Sequence, residues 1–278
     1  MPYIQVGTEK KNVINLSYAD YGEGQPVVLI HGWPLSHRMW EKQIMALVEA
    51  GYRVIAYDRR GFGESFKPWN GYEYDTFAAD LNTLLTELDL REVVLVGFSM
   101  GGGEVARYIG TYGTQRVAKV VLMSAVTPFL LKTTDNPDGV DASVFDGILQ
   151  GLSKDRPGFL EAFGKMFVNW DTDGKVLLSP AALQHSWDIA VWASPKATLD
   201  CVKAFSATDF RKDLAKFTVP TLILHGDADQ IVPFAVSGQR AHALIPGSEL
   251  VVIQGGAHGL TYTQPDKVNE ALLGFLTK

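Results

Sequence analysis

The stretch VVLVGFSMGGGEVARYI, residues 93–109, opens as a run of aliphatic residues, passes through Gly-Phe-Ser-Met-Gly and closes as a helix-forming segment. Two glycines bracket Ser99 although glycine costs backbone entropy in either kind of element. The junction is therefore an ordinary tight turn, or a strained one that holds a serine out for chemistry. Three fixed positions at ordinary Gly and Ser frequencies recur by chance on the order of 0.1 times in a chain of this size, so the motif alone is only moderately specific. Its setting adds weight, because it follows a strand pattern directly and opens a helix. Such a turn drives the serine into a sparsely allowed backbone region, and a side chain at 97 or 101 would collide with it.

Outward from this motif the chain alternates strand and helix patterns. PVVLI (26–30), YRVIAYD (52–58), EVVLVGF (92–98), VAKVVLMSA (117–125), VPTLILHG (219–226) and ELVVIQGG (249–256) are short apolar runs that predict buried strands. VINLSYADYG (13–22) sets Ile14, Leu16 and Tyr18 at period two, as a half-buried strand does. Between them, residues 37–51 place Met39, Trp40, Gln43, Ile44, Ala46 and Leu47 at helical spacing. Residues 74–90 form a second amphipathic pattern through Phe77, Leu81, Leu84, Leu85 and Leu88, with Asp75 as its N-cap. Alternating β and α elements with apolar strands predict an α/β fold, a mostly parallel central sheet with helices on both faces. The pattern breaks at Thr127. Residues 127–211 show helix-like segments rich in Phe159, Phe163, Met166, Trp187 and Trp192, which predicts a helical insertion over a core of residues 1–126 and 212–278.

Composition narrows the function classes. Of 278 residues, 46% are hydrophobic and 20% charged, with a formal net charge of −6. That balance suits a globular domain and argues against nucleic acid or an anionic membrane as partner, since both need a basic surface. Cys201 is the only cysteine and is expected to be buried as a small apolar residue, which excludes an internal disulfide. MPYIQVGTEKK lacks the basic-then-apolar pattern of a secretion signal, and no apolar stretch is long enough to span a bilayer. A cytoplasmic protein is the expectation. With neither a C-x-x-C-H haem attachment site nor a metal-ligand cluster, no cofactor and no metal are expected.

A serine hydroxyl becomes a nucleophile when a histidine accepts its proton and a carboxylate orients that histidine. At a nucleophile elbow the chain order is Ser, acid, His. Only His242 and His258 lie beyond the loop that follows the strand at 219–224 and holds the acid. His242 sits in a helical segment with an exposed face expected, whereas His258 lies in a glycine-flanked loop just past a strand, so His258 is the candidate base. LHGDADQIVP offers Asp227 and Asp229 as acids, and spacing alone does not separate them. The oxyanion of a tetrahedral intermediate needs the backbone N–H of Met100 and one from the loop LIHGWP (29–34), assigned to Trp33. His31, Gly32 and His225 are read as structural.

The segments VVLIHGWP, GYRVIAYDRRGFGES, LVGFSMGGGEVARYI, DFRKDL and HGDADQIVP together resemble the α/β-hydrolases with a helical cap, and within them the bacterial cofactor-free haloperoxidases, aryl esterases and γ-lactamases. The resemblance runs almost end to end. In the family pattern HGxxDxxVP the acid is the aspartate before x-x-Val-Pro, which is Asp229. The implied triad is Ser99, Asp229 and His258, with Trp33 and Met100 as oxyanion donors. The implied pocket wall is Val126, Phe163, Phe205 and Ile231. The implied chemistry is hydrolysis of small aryl or alkyl carboxylic esters through an acyl-serine. Hydrogen peroxide in place of water would yield a peracid that oxidises halide. Haloperoxidase-like members resemble this chain in carrying proline at position 34. Pro34 biases Trp33 toward an extended conformation that would aim the Trp33 carbonyl at bound peroxide. A γ-lactamase or amidase is the alternative on the same triad, and a serine-triad hydroxynitrile lyase or C–C hydrolase is also compatible with it. A non-catalytic ligand-binding protein reusing the fold is a further alternative. Ser99 at the elbow excludes the aspartate-nucleophile epoxide hydrolases and haloalkane dehalogenases. The partners implied are a small ester, a lactam, or acetate plus hydrogen peroxide, with a homo-oligomer as the expected assembly.

Overall fold

The apolar runs become the middle of one sheet. In the computed structural model, which describes residues 1–172 and 177–278, the strands are β1 (Tyr3–Glu9), β2 (Asn12–Tyr21), β3 (Pro26–Ile30), β4 (Arg53–Tyr57), β5 (Val93–Phe98), β6 (Val117–Met123), β7 (Thr221–Gly226) and β8 (Glu249–Ile253). Their spatial order is β1-β2-β4-β3-β5-β6-β7-β8. β1 and β2 pair antiparallel, β2 runs antiparallel to β4, and every later pair is parallel. Val28 lies between Ile55 and Leu95, and Leu29 between Ala56 and Val96. These side chains are wholly buried, because a parallel sheet is covered on both faces and its strands read as near-continuous apolar runs.

The helices are α1 (Glu41–Glu49), α2 (Tyr74–Glu87), α3 (Met100–Tyr112), α4 (Ala142–Phe167), α5 (Pro180–Val191), α6 (Pro195–Ala207), α7 (Arg211–Leu214), α8 (Gly238–Leu244), α9 (Leu260–Thr263) and α10 (Pro265–Leu276). α2 packs on α3 and α1 on α10. Between β6 and β7 lie α4 to α7, with α4 packed on α5 and α6. α4 is interrupted at Asp155 (φ −155°, ψ 86°), two positions ahead of Pro157, whose ring cannot follow an unbroken helical turn. Residues 173–176 of the expected insertion lie outside the described residues.

Three local readings differ from expectation. β1 is a strand that the apolar pattern does not announce: it is an edge strand, only Ile4 of which is buried, joined to β2 by a hairpin turning at Lys10 and Lys11. Asp75 is not the N-cap of α2. The helix starts at Tyr74, and Asp75 lies in its first turn, paired with Arg107 of α3, where a carboxylate also complements the helix dipole. His242 is half-buried rather than exposed, its Nδ1 lying 2.8 Å from the Ser248 hydroxyl. Cys201 is buried, as expected.

Candidate active site

Ser99 links β5 to α3 with φ 54° and ψ −118°, a conformation that L-residues rarely adopt. The surrounding backbone leaves no room for another choice of neighbour. A Cβ on Gly97 would lie 2.5 Å from the Gly101 carbonyl oxygen, and one on Gly101 would lie 2.3 Å from that of Ile30. The chain bends here because β5 must feed α3 back across the sheet, and only glycines tolerate the approach.

Ser99, Asp229 and His258 follow β5, β7 and β8 respectively, and Trp33 follows β3. All four thus lie at the carboxyl ends of parallel strands, where open α/β sheets collect functional groups. Ser99 Oγ is 2.9 Å from His258 Nε2, and His258 Nδ1 is 2.6 Å from Asp229 Oδ2. The other Asp229 oxygen accepts the N–H groups of Ile231 and Val232 at 2.9 and 2.8 Å. Burial opposes ionisation of Asp229, but the charge and hydrogen bonds of His258 and His225 outweigh it and hold this carboxyl well below the usual carboxylate range. An ionised Asp229 fixes the proton of His258 on Nδ1, which leaves Nε2 as the acceptor facing Ser99. The two aspartates separate cleanly: Asp227 instead accepts the Gly255 N–H at 2.6 Å and ties two loops together. His225 does more than pack. Its Nε2 lies 2.9 Å from the Val232 carbonyl and 3.3 Å from Asp229, on the acid's own loop.

Met100 is the first residue of α3, where an N–H has no intrahelical acceptor. Trp33 lies in a turn closed by Leu35 N–H donating to the Gly32 carbonyl at 3.0 Å. Neither amide has a hydrogen-bond partner among the described residues. Gly32 is pressed against Ser99, since a Cβ there would lie 3.0 Å from that of the serine. His31 anchors this loop: Nδ1 donates to the Gly32 carbonyl at 2.9 Å and Nε2 accepts the Arg59 N–H at 3.0 Å. Burial and the adjacent Arg59 charge push His31 down to about 3, which keeps it neutral.

Above Ser99 and His258 opens a cleft of about 500 Å³ lined by Trp33, Val126, Leu130, Val140, Val144, Phe145, Ile148, Phe163, Phe205, Ile231 and Val232. Apart from the serine and histidine, its wall is apolar. The Trp33 ring meets Phe163 and Phe205 edge-on at 5.1 and 5.8 Å between centroids, and its Nε1 donates to the Thr198 carbonyl at 3.1 Å. Val126, Phe163, Phe205 and Ile231 all border this cleft. Pro34 does not: it borders a separate cavity behind Phe163, together with Leu35, Leu160 and Phe167. Arg59 and Glu104, buried beneath the site, are charged residues that the motifs do not flag. Glu104 offers a signal, a lone acid among the glycines and apolar residues that open the helix, whereas Arg59 in the run Asp58-Arg59-Arg60 offers none. Among the described residues there is no cluster of three metal-ligating side chains, and no helix long and apolar enough to cross a membrane.

Residues 25–265 match the family model described as alpha/beta hydrolase fold. The chain is 56% identical to a putative non-heme chloroperoxidase of Synechocystis sp., over 99% of this chain and 100% of that protein. It is 39% identical to a bifunctional esterase/perhydrolase of Acinetobacter calcoaceticus, over 96% and 97% of the two chains. Among solved structures, a bromoperoxidase from Bacillus anthracis superposes with a TM-score of 0.96 at 55% identity, covering 100% of this chain and 99% of that one.

Proposed function

The chain belongs to the alpha/beta hydrolase family, and from that premise we propose that it hydrolyses small, uncharged carboxylic esters through an acyl-Ser99 intermediate. The observation that carries this reading is the hydrogen-bonded series Ser99–His258–Asp229 at the foot of an apolar cleft. His258 Nε2 takes the Ser99 proton as Oγ attacks the ester carbonyl. The oxyanion that forms is met by the Trp33 and Met100 amides. Protonated His258, held by Asp229, then donates to the departing alkoxide. Water attacks the acyl-enzyme by the same route in reverse, releasing the acid. Residues 127–211 act as a cap whose Phe163 and Phe205 keep the cleft apolar, which favours alkyl or aryl groups over charged ones.

Peracid formation is the second reading, and the names of the relatives favour it. Hydrogen peroxide attacking the acyl-Ser99 carbonyl forms the peracid and returns the serine hydroxyl. The free peracid then oxidises bromide to hypobromous acid and becomes the carboxylate. A panel of p-nitrophenyl esters, a γ-lactam, and acetate with peroxide and bromide, run on wild type and Ser99→Ala, tests both. All turnover is expected to vanish in Ser99→Ala, by a factor on the order of 10⁴ or more. Undiminished ester turnover there would overturn the mechanism, and lactam cleavage above ester cleavage would favour an amidase.

A further inference from the structure

A buried polar chain runs beneath the triad, and the hydrolytic steps leave it without a task. The Tyr57 hydroxyl donates to one oxygen of Glu104, and Arg59 Nε donates to the other at 2.6 Å. Arg59 Nη2 donates to the His31 carbonyl at 2.9 Å, and its backbone N–H to His31 Nε2 at 3.0 Å. The Arg59 and Glu104 side chains are 1% and 0% exposed. The guanidinium is also flanked by the rings of Phe62 and Phe77, 6.0 and 5.3 Å from their centroids.

The two ends of this chain are the two halves of the oxyanion site. Glu104 stands on α3, whose first residue is Met100, and His31 leads through Gly32 to Trp33. The β3–β5 ladder ends at the pair Ile30 and Gly97. Past that pair, no main-chain hydrogen bond joins residues 31–36 to α3 among the described residues. We propose that the Arg59–Glu104 pair is a positioning device that fixes the Trp33 amide relative to the Met100 amide. This rests on the reading of those two amides as oxyanion donors. A buried ion pair contributes little stability beyond apolar residues of the same shape, so stability alone does not account for one here. A fork donating to a helix on one side and a loop on the other sets their spacing. Donor placement matters to the transition state more than to substrate binding, because the oxyanion exists only there.

The test compares Arg59→Met/Glu104→Gln, which uncouples helix from loop, with Arg59→Lys, which keeps the charge and loses the fork. Both are measured with p-nitrophenyl acetate and with an aryl trifluoromethyl ketone, whose serine hemiketal places an oxyanion in the site. In folded variants kcat is expected to fall by on the order of 10- to 100-fold. Affinity for the ketone should fall by the same factor, with KM within about threefold of wild type. Wild-type kcat in either folded variant, or a fall in kcat without an equal loss of ketone affinity, would overturn the proposal. So would the failure of both variants to fold, which would make the pair a folding element. Ser99→Ala run alongside keeps the questions apart, since its retention of turnover would defeat the hydrolase reading itself.

Discussion

The strand-end loops around Ser99 and the helical wall above it are built on opposite principles. Around the serine the defining contacts are directional or backbone-tight: hydrogen bonds of 2.6 to 2.9 Å through His258 and Asp229, and glycines whose missing Cβ atoms would strike carbonyl oxygens. The wall of Val126, Leu130, Phe145, Phe163, Phe205 and Ile231 carries no hydrogen bond from its side chains into the cleft. Apolar contacts are non-directional, and cores tolerate exchanges that conserve volume. A reaction type held by backbone geometry is therefore hard to change, whereas a substrate preference held by apolar side chains is easy to change.

The largest expected effect probes the directional side. Asp229→Asn should lower kcat by on the order of 10⁴-fold, because the amide stabilises the wrong His258 tautomer and no imidazolium. Asp227→Asn should stay within a few-fold, its carboxylate serving the Gly255 N–H and no other group among the described residues. Steady-state kinetics on a p-nitrophenyl ester reads both, and equal losses would erase the distinction between the two aspartates. Next, Gly101→Ala puts a methyl 2.3 Å from the Ile30 carbonyl oxygen and should destabilise the fold by about 3 kcal/mol, seen as a lower urea midpoint. A midpoint equal to wild type would show that the elbow has slack. The smallest effect belongs to the wall. Phe163→Leu should cost about 1 kcal/mol of stability and leave kcat on acetate esters within about threefold, while shifting preference toward bulkier acyl groups by a few-fold. A collapse of kcat comparable to Asp229→Asn would break the comparison altogether.

Much of this contrast is legible in the residue string, and what is legible is local. β3, β5 and β7 announce themselves because buried parallel strands are near-continuous apolar runs. The elbow does so because strand, Gly-x-Ser-x-Gly and helix are consecutive. β1 escapes notice because an exposed edge strand needs few apolar residues, and Asp75 misleads because a carboxylate suits the first helical turn as well as the cap, which is Glu73, two positions earlier. Pro34 shows the limit in another way. It adjoins Trp33 in sequence, yet Trp33 lines the cleft while Pro34 borders a different cavity, since a tight turn points neighbouring residues apart.

By itself, then, the sequence determined the α/β layering, the serine at the turn and the order of its candidate partners, since hydrophobic period and glycine placement act over a few residues. Spacing left Asp227 and Asp229 open and only resemblance favoured Asp229, while tertiary structure alone decided that His225 stands behind that acid and that Arg59 is buried against Glu104. Those choices depend on where loops from distant strand ends converge, and a hydrogen bond between residues far apart in the chain leaves no local pattern to read.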